Sequence, residues 1–175
     1  MIIWVTGLSG AGKTTICRKI YGEIKPRIPN TVLLDGDIVR GAFGDLTHSE
    51  EDRVIQVSRL RAMCQILSDQ GIIVIVAVLY AHPDLLAWNR ENLNDYFEVH
   101  LDASLNTVRD RDPKGLYAKA ERGEMPDVVG LDIPWHPPQE PDLIIDGDGS
   151  LTPDEQMRRV MDSLAKRDAR FQFGS

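Results

Sequence analysis

What the sequence has little of narrows its function first. Two cysteines, Cys17 and Cys64, stand far apart in helical patterns and form no CxxC, which argues against a disulfide framework or a cysteine zinc site. Aromatic residues make up only 6% of the 175 positions, and no apolar run reaches the length of about 20 residues that spans a bilayer. Lys and Arg number 20 against 27 Asp and Glu, giving a net charge of −7 with no basic block, so sustained contact with a nucleic-acid backbone is not expected. The opening MIIWVTG runs directly into a strand pattern, without the basic region and cleavage site of a signal peptide. These features lead us to expect a soluble, cytoplasmic protein without membrane or nucleic-acid partners. Internal repeats and low-complexity segments are absent too.

With 42% hydrophobic residues, the chain is long enough for one domain with a well-buried core, taken as residues 1–168 with a frayed tail at 169–175. Five apolar runs, at 1–7, 31–37, 71–80, 97–103 and 141–147, read as strands. They are nearly continuous rather than alternating, which suits a parallel sheet covered on both faces, and helical segments separate most of them. The expected fold is therefore α/β, a five-stranded parallel sheet flanked by helices. Ser49-Glu50-Glu51-Asp52 forms a capping box opening a helix over 49–70, and Thr152-Pro153-Asp154-Glu155 opens a last helix running to about Lys166. More than half of the ten prolines fall within 112–141, a composition that predicts a mobile lid.

The most informative stretch is Gly7-Leu8-Ser9-Gly10-Ala11-Gly12-Lys13-Thr14, which satisfies the P-loop pattern GxxxxGK[ST] between an apolar strand and a helix-forming run. Its glycines let the backbone wrap a phosphate with amides pointing inward, and the following helix offers its positive N-terminal end to the same oxygens. Gly7, Ser9, Gly10, Ala11, Gly12, Lys13, Thr14 and Thr15 are thus the candidate ATP-binding residues. Lys13 would neutralise the β- and γ-phosphates, and the Thr14 hydroxyl would ligate Mg²⁺. A P-loop alone does not separate a kinase from a GTPase switch, a motor or a passive binder. No Asn-Lys-x-Asp segment is present to read guanine, and the most apolar strand ends Val78-Leu79-Tyr80 without the acid a motor ATPase carries there. The acid must come from another strand.

Asp35-Gly36-Asp37, with Arg40 one turn on, supplies it. At the carboxyl edge of a parallel sheet this pair would face the crevice of the P-loop. One acid, Asp35, would sit near Mg²⁺, directly or through water, and orient or deprotonate an acceptor hydroxyl, while Asp37 would hold the acceptor. The same acids also read as a turn with an N-cap for a helix over 37–43.

Taken together, GLSGAGKT, LDGD followed by Arg40, Glu50-Glu51-Asp52-Arg53 and Arg111-Asp112-Pro113-Lys114-Gly115-Leu116-Tyr117 resemble the adenylylsulfate (APS) kinase family over roughly residues 2–147. The resemblance implies a P-loop NTPase fold with a lid. It also implies transfer of the γ-phosphate of ATP to the ribose 3′-hydroxyl of adenylylsulfate, the activity of sulfate assimilation, which is the leading expectation. By position it makes Lys13 and Asp35 catalytic, adds Arg111 to the ATP-binding set, and assigns Asp37, Arg40, Arg53 and Lys114 to the acceptor. A homodimer is compatible with the resemblance, although no interface is legible.

On the acceptor side the chain departs from the family pattern. His48 replaces a Phe before the SEEDR-like stretch, and Val128-Val129-Gly130 replaces Phe-Thr-Gly; those two aromatics sandwich the acceptor adenine in the family. Base–aromatic stacking is worth roughly 1–3 kcal/mol per base, so their loss removes much of that grip. His48 can still stack and Val128 cannot. Gln56 stands where the family has Asn, and Tyr80-Ala81-His82-Pro83 replaces a Ser-Pro-Tyr-Arg-like stretch. Candidate acceptor contacts therefore include His48, Gln56 and Tyr80, with Trp88 and Trp135 as further flat rings. His82 and His136 read as loop histidines without metal spacing. Three alternatives stay open: another nucleotide conjugate such as cytidine diphosphoramidate, a small-molecule P-loop kinase, and a non-catalytic nucleotide-binding regulator.

Overall fold

A computed structural model describes residues 1–44 and 47–173. The core strand β1 (Ile2–Thr6) is buried at every position, as expected for IIWVT with no polar alternation. It lies between β3 (Ile73–Val78) and β4 (Tyr96–Asp102); β2 (Thr31–Asp35) pairs with β3, and β5 (Leu143–Asp146) pairs with β4. All four pairings are parallel, in the order β2-β3-β1-β4-β5. Four of the strands are shorter than their apolar runs, and β4 keeps the length of its run but starts one residue earlier, at Tyr96. The connections leaving β1 and β4 run toward opposite edges of the sheet, which opens a crevice beyond their carboxyl ends.

The helices are α1 (Lys13–Ile24), α2 (Gly36–Phe43), α3 (Glu50–Asp69), α4 (Pro83–Asn92), α5 (Leu105–Arg111), α6 (Leu116–Glu121) and α7 (Pro153–Arg167). Contacts pair α1 with α7 and α3 with α4. Helix α7 has its complete capping box, Thr152 accepting from the Glu155 amide while the Glu155 carboxylate accepts from the Thr152 amide. The box expected at α3 is only half formed. Ser49 accepts from the Asp52 amide, but the Asp52 carboxylate turns to Thr47 instead of back to the cap.

Two expectations need correction. Helix α2 starts one residue early, at Gly36, and of the two acids it is Asp35 that caps it: the Asp35 Oδ1 accepts from the Asp37 amide at 3.0 Å. The tail does not fray immediately after 168, because Ala169–Phe171 forms a 3₁₀ turn that buries the Phe171 ring to 2% exposure, edge-on to Phe173. Residues 174 and 175 lie outside the described residues. Within 112–141, α6 and an isolated bridge between Val129 and Ile133 are the only regular structure among the described residues, and Tyr117, Val128, Val129 and Ile133 are buried. No helix among the described residues is long and apolar enough to cross a membrane.

Candidate active site

The P-loop leaves β1 at Gly7 and enters α1 through Gly12, whose φ of 104° lies in the left-handed region that glycine tolerates. No side chain caps α1, so its first amides remain open to an anion. In front of them is a cavity of about 860 Å³ lined by Ser9, Gly10, Gly12, Lys13, Thr14 and Thr15. Two members of the expected set do not line it. Gly7 is buried behind the loop, where any Cβ would come within 2.5 Å of the Leu101 carbonyl oxygen; close packing, not phosphate contact, requires glycine there. The Ala11 amide donates back to the Leu8 carbonyl and closes the turn, which takes it away from a ligand.

Asp35, ending β2, meets the loop directly. Its Oδ2 accepts from the Thr14 hydroxyl at 2.8 Å while its Oδ1 caps α2, so both oxygens are fixed. Asp35 and Asp37 line the same cavity as Lys13, on the P-loop's side of the sheet. Lys13 donates to the Leu8 carbonyl at 2.7 Å. Burial pushes its ammonium down to about 8, with the nearby Asp37 charge acting in the opposite direction. Asp37 pairs with Lys114, which reaches over from the start of α6. Burial works against the Asp37 charge, but the Lys114 hydrogen bond and the charges of Lys114 and Lys13 prevail and hold its carboxyl below the ordinary range.

The remaining candidates also line this cavity: Arg40, His48, Arg53, Gln56, Tyr80 and Arg111. Arg40 donates to the Thr47 carbonyl, and buried Arg53 donates to the His48 carbonyl at 2.9 Å and to Asp127 O at 2.7 Å. Burial, then the charges of Arg40 and Arg53, lower the His48 pKa, so its ring is neutral at neutral pH. Gln56 Nε2 is spent on the Gly36 carbonyl at 3.0 Å, whereas its buried Oε1 has no protein partner. The Tyr80 hydroxyl is likewise committed, donating to Glu50 at 2.7 Å, and its ring forms part of the wall. Arg111 donates to Gly147 O at 2.8 Å.

Two candidate rings lie elsewhere. Trp88 is 38% exposed under the Arg61 guanidinium, 4.2 Å from its ring centre, and Trp135 lines a separate groove of about 380 Å³ beside His100. Val128 and Val129 do line the main cavity, so its wall there is aliphatic where the family pattern has an aromatic. Sequence reasoning did not single out Asp127, whose carbonyl receives Arg53 from 74 positions away; its φ of 63° is unusual for a non-glycine residue, but no sequence signal marks it. Asp102, ending the strand beside β1, was also passed over; it lines the smaller groove, not the main cavity.

A phosphate loop and a strand-end carboxylate facing one cavity, on a parallel sheet of this order, define a P-loop kinase. A family model described as adenylylsulphate kinase matches residues 1–146. The chain belongs to that family. It is 39% identical over 176 residues to the adenylyl-sulfate kinase of Pseudomonas entomophila, covering 99% of this chain and 84% of the relative. It is 34% identical over 164 residues to the cytidine diphosphoramidate kinase of Campylobacter jejuni, covering 94% and 96%. Among solved structures, the APS kinase CysC of Mycobacterium tuberculosis in complex with AMPPNP and APS superposes with a TM-score of 0.82 at 34% identity, covering 93% of this chain and 96% of that one. The protein is accordingly an ATP-binding phosphotransferase.

Proposed function

We propose that this enzyme transfers the γ-phosphate of ATP to a ribose hydroxyl of a nucleotide conjugate. The 2.8 Å hydrogen bond between Thr14 and Asp35 carries the reading, because it sets a carboxylate directly against the phosphate loop. The open amides of α1 and the Lys13 ammonium stabilise the triphosphate, and Asp35 orients the acceptor hydroxyl and takes its proton. The bond from the γ-phosphorus to the bridging oxygen breaks as one to the acceptor oxygen forms, leaving ADP. Arg40, Arg53, Lys114 and Asp37 hold the acceptor, and Arg111 lies on the donor side. The Thr14 hydroxyl and Asp35 carboxylate are hard oxygen donors, a set that fits Mg²⁺. When bound there, Mg²⁺ would supply charge neutralisation at the phosphates.

For the acceptor, a cytidine-diphosphate-linked conjugate such as cytidine diphosphoramidate fits a cavity whose wall is aliphatic at Val128 and Val129 and whose rings are His48 and Tyr80, without the aromatic pair that sandwiches adenine in the family pattern. Adenylylsulfate is the second reading, favoured by the 39% identity to an adenylyl-sulfate kinase across nearly the whole chain. An acceptor panel scored by ADP release tests both: adenylylsulfate, cytidine- and uridine-diphosphate conjugates, gluconate and no addition. We expect turnover only with nucleotide conjugates, highest with the cytidine-linked one. Preference for adenylylsulfate would establish the second reading, and release without acceptor or only with gluconate would sink the proposal.

A further inference from the structure

The connection between α5 and α6 touches the P-loop from outside. Tyr117 is buried to 2% exposure, and its hydroxyl donates to the Ser9 carbonyl oxygen at 3.1 Å. Burial, with a smaller push from Asp112, raises that hydroxyl to about 12, so it stays a donor across the working range. Its place is set by Asp112, whose carboxylate accepts from the amides of Leu116 at 2.8 Å and Ala118 at 3.0 Å and so fixes the first turn of α6. Gly10 backs onto Val108 in α5 and Pro113 in the connection that follows it.

The Ser9 carbonyl belongs to the peptide that carries the Gly10 N–H. In a trans peptide these two groups point in opposite directions. Ser9 and Gly10 both line the main cavity, whereas the Ser9 oxygen is turned back toward a side chain on α6. We propose that Tyr117 is a positioning residue for the phosphate loop. By holding the Ser9 carbonyl outward, it turns the Gly10 amide inward, where the triphosphate is received. Without that hydroxyl the peptide is free to flip and present a carbonyl oxygen to the phosphates, which repels them. The inference rests on the proposed reading of the loop as the ATP site and adds to it a residue lying 108 positions away.

Tyr117→Phe is the test, since it keeps the ring in its slot and removes only the donor. Calorimetric titration with ATP and with ADP is compared with KM and kcat for both substrates and with the thermal midpoint. One lost hydrogen bond corresponds to a fall of about 3- to 10-fold in affinity. We expect that fall for ATP and ADP alike, a matching rise in the KM for ATP, an unchanged acceptor KM and a midpoint close to the parent's. Parent-like nucleotide affinity in Tyr117→Phe would overturn the inference. So would a drop in midpoint with both substrates weakened equally, which would mark the tyrosine as packing alone. A parent enzyme with no measurable affinity for ATP or ADP would overturn the reading of the loop itself, a result distinct from either.

Discussion

Lys13 holds an ammonium where burial disfavours it, and its pH response follows from that. With its pKa lowered to about 8, the free enzyme carries a charged Lys13 at pH 7 and a largely neutral one at pH 9. Phosphate binding favours the charged form, so above pH 8 a proton must be taken up on binding and ATP affinity should weaken, approaching tenfold per pH unit. Calorimetry from pH 6.5 to 9.5 checks this, and Lys13→Ala should bind weakly with no such slope. For Asp35, the conservative Asp35→Asn retains a capping oxygen for the Asp37 amide, which separates chemistry from folding. It should leave ATP affinity within about threefold and lower kcat by about 10²-fold or more. An Asn variant with near-parental kcat would mean that another group accepts the proton. Most of the P-loop's contribution was legible because its residues are consecutive and its glycines are needed by the turn itself. The Arg53 contact to Asp127 and the Tyr117 contact to Ser9 were not, since nothing local distinguishes a distant residue that meets a main-chain carbonyl.

At the scale of elements, helix ends were the most readable feature wherever a side chain had one partner to choose. Thr152 and Glu155 form the expected reciprocal pair, so Thr152→Ala should cost about 1 kcal/mol and lower the thermal midpoint by about 2–4 °C. Scanning calorimetry measures both. Asp52 had two choices and took Thr47, a competition between local hydrogen bonds that the capping pattern does not encode. Proline content set 112–141 apart from the strands and helices, but its buried valines and its single short helix were not legible, because proline content says nothing of what the segment packs against. Lys114, just ahead of α6, pairs with Asp37 at the start of α2 and so links these elements across the cavity. Lys114→Ala should raise the acceptor KM about 3- to 10-fold and leave the KM for ATP nearly unchanged, as initial-rate kinetics would reveal.

Across the whole molecule, nucleotide binding should register as stability. At an ATP concentration 100 times its dissociation constant, linkage adds about 2.7 kcal/mol, or a rise of roughly 5–10 °C in a domain of this size, readable by differential scanning fluorimetry. An unshifted midpoint under those conditions would mean that ATP does not prefer the folded chain. The alternation of strands and helices made a parallel sheet legible. The order of the strands was not, because near-continuous apolar runs carry no record of which neighbour each one pairs with. That order has a further consequence. The strand feeding the phosphate loop is gripped by neighbours on both sides, whereas the strand carrying Asp35 is a half-covered border strand held from one side only. Substitutions around the border disturb fewer partners than substitutions at the centre. A lineage can therefore vary residues along that border while the centre of the sheet, and with it the phosphate loop, stays as inherited.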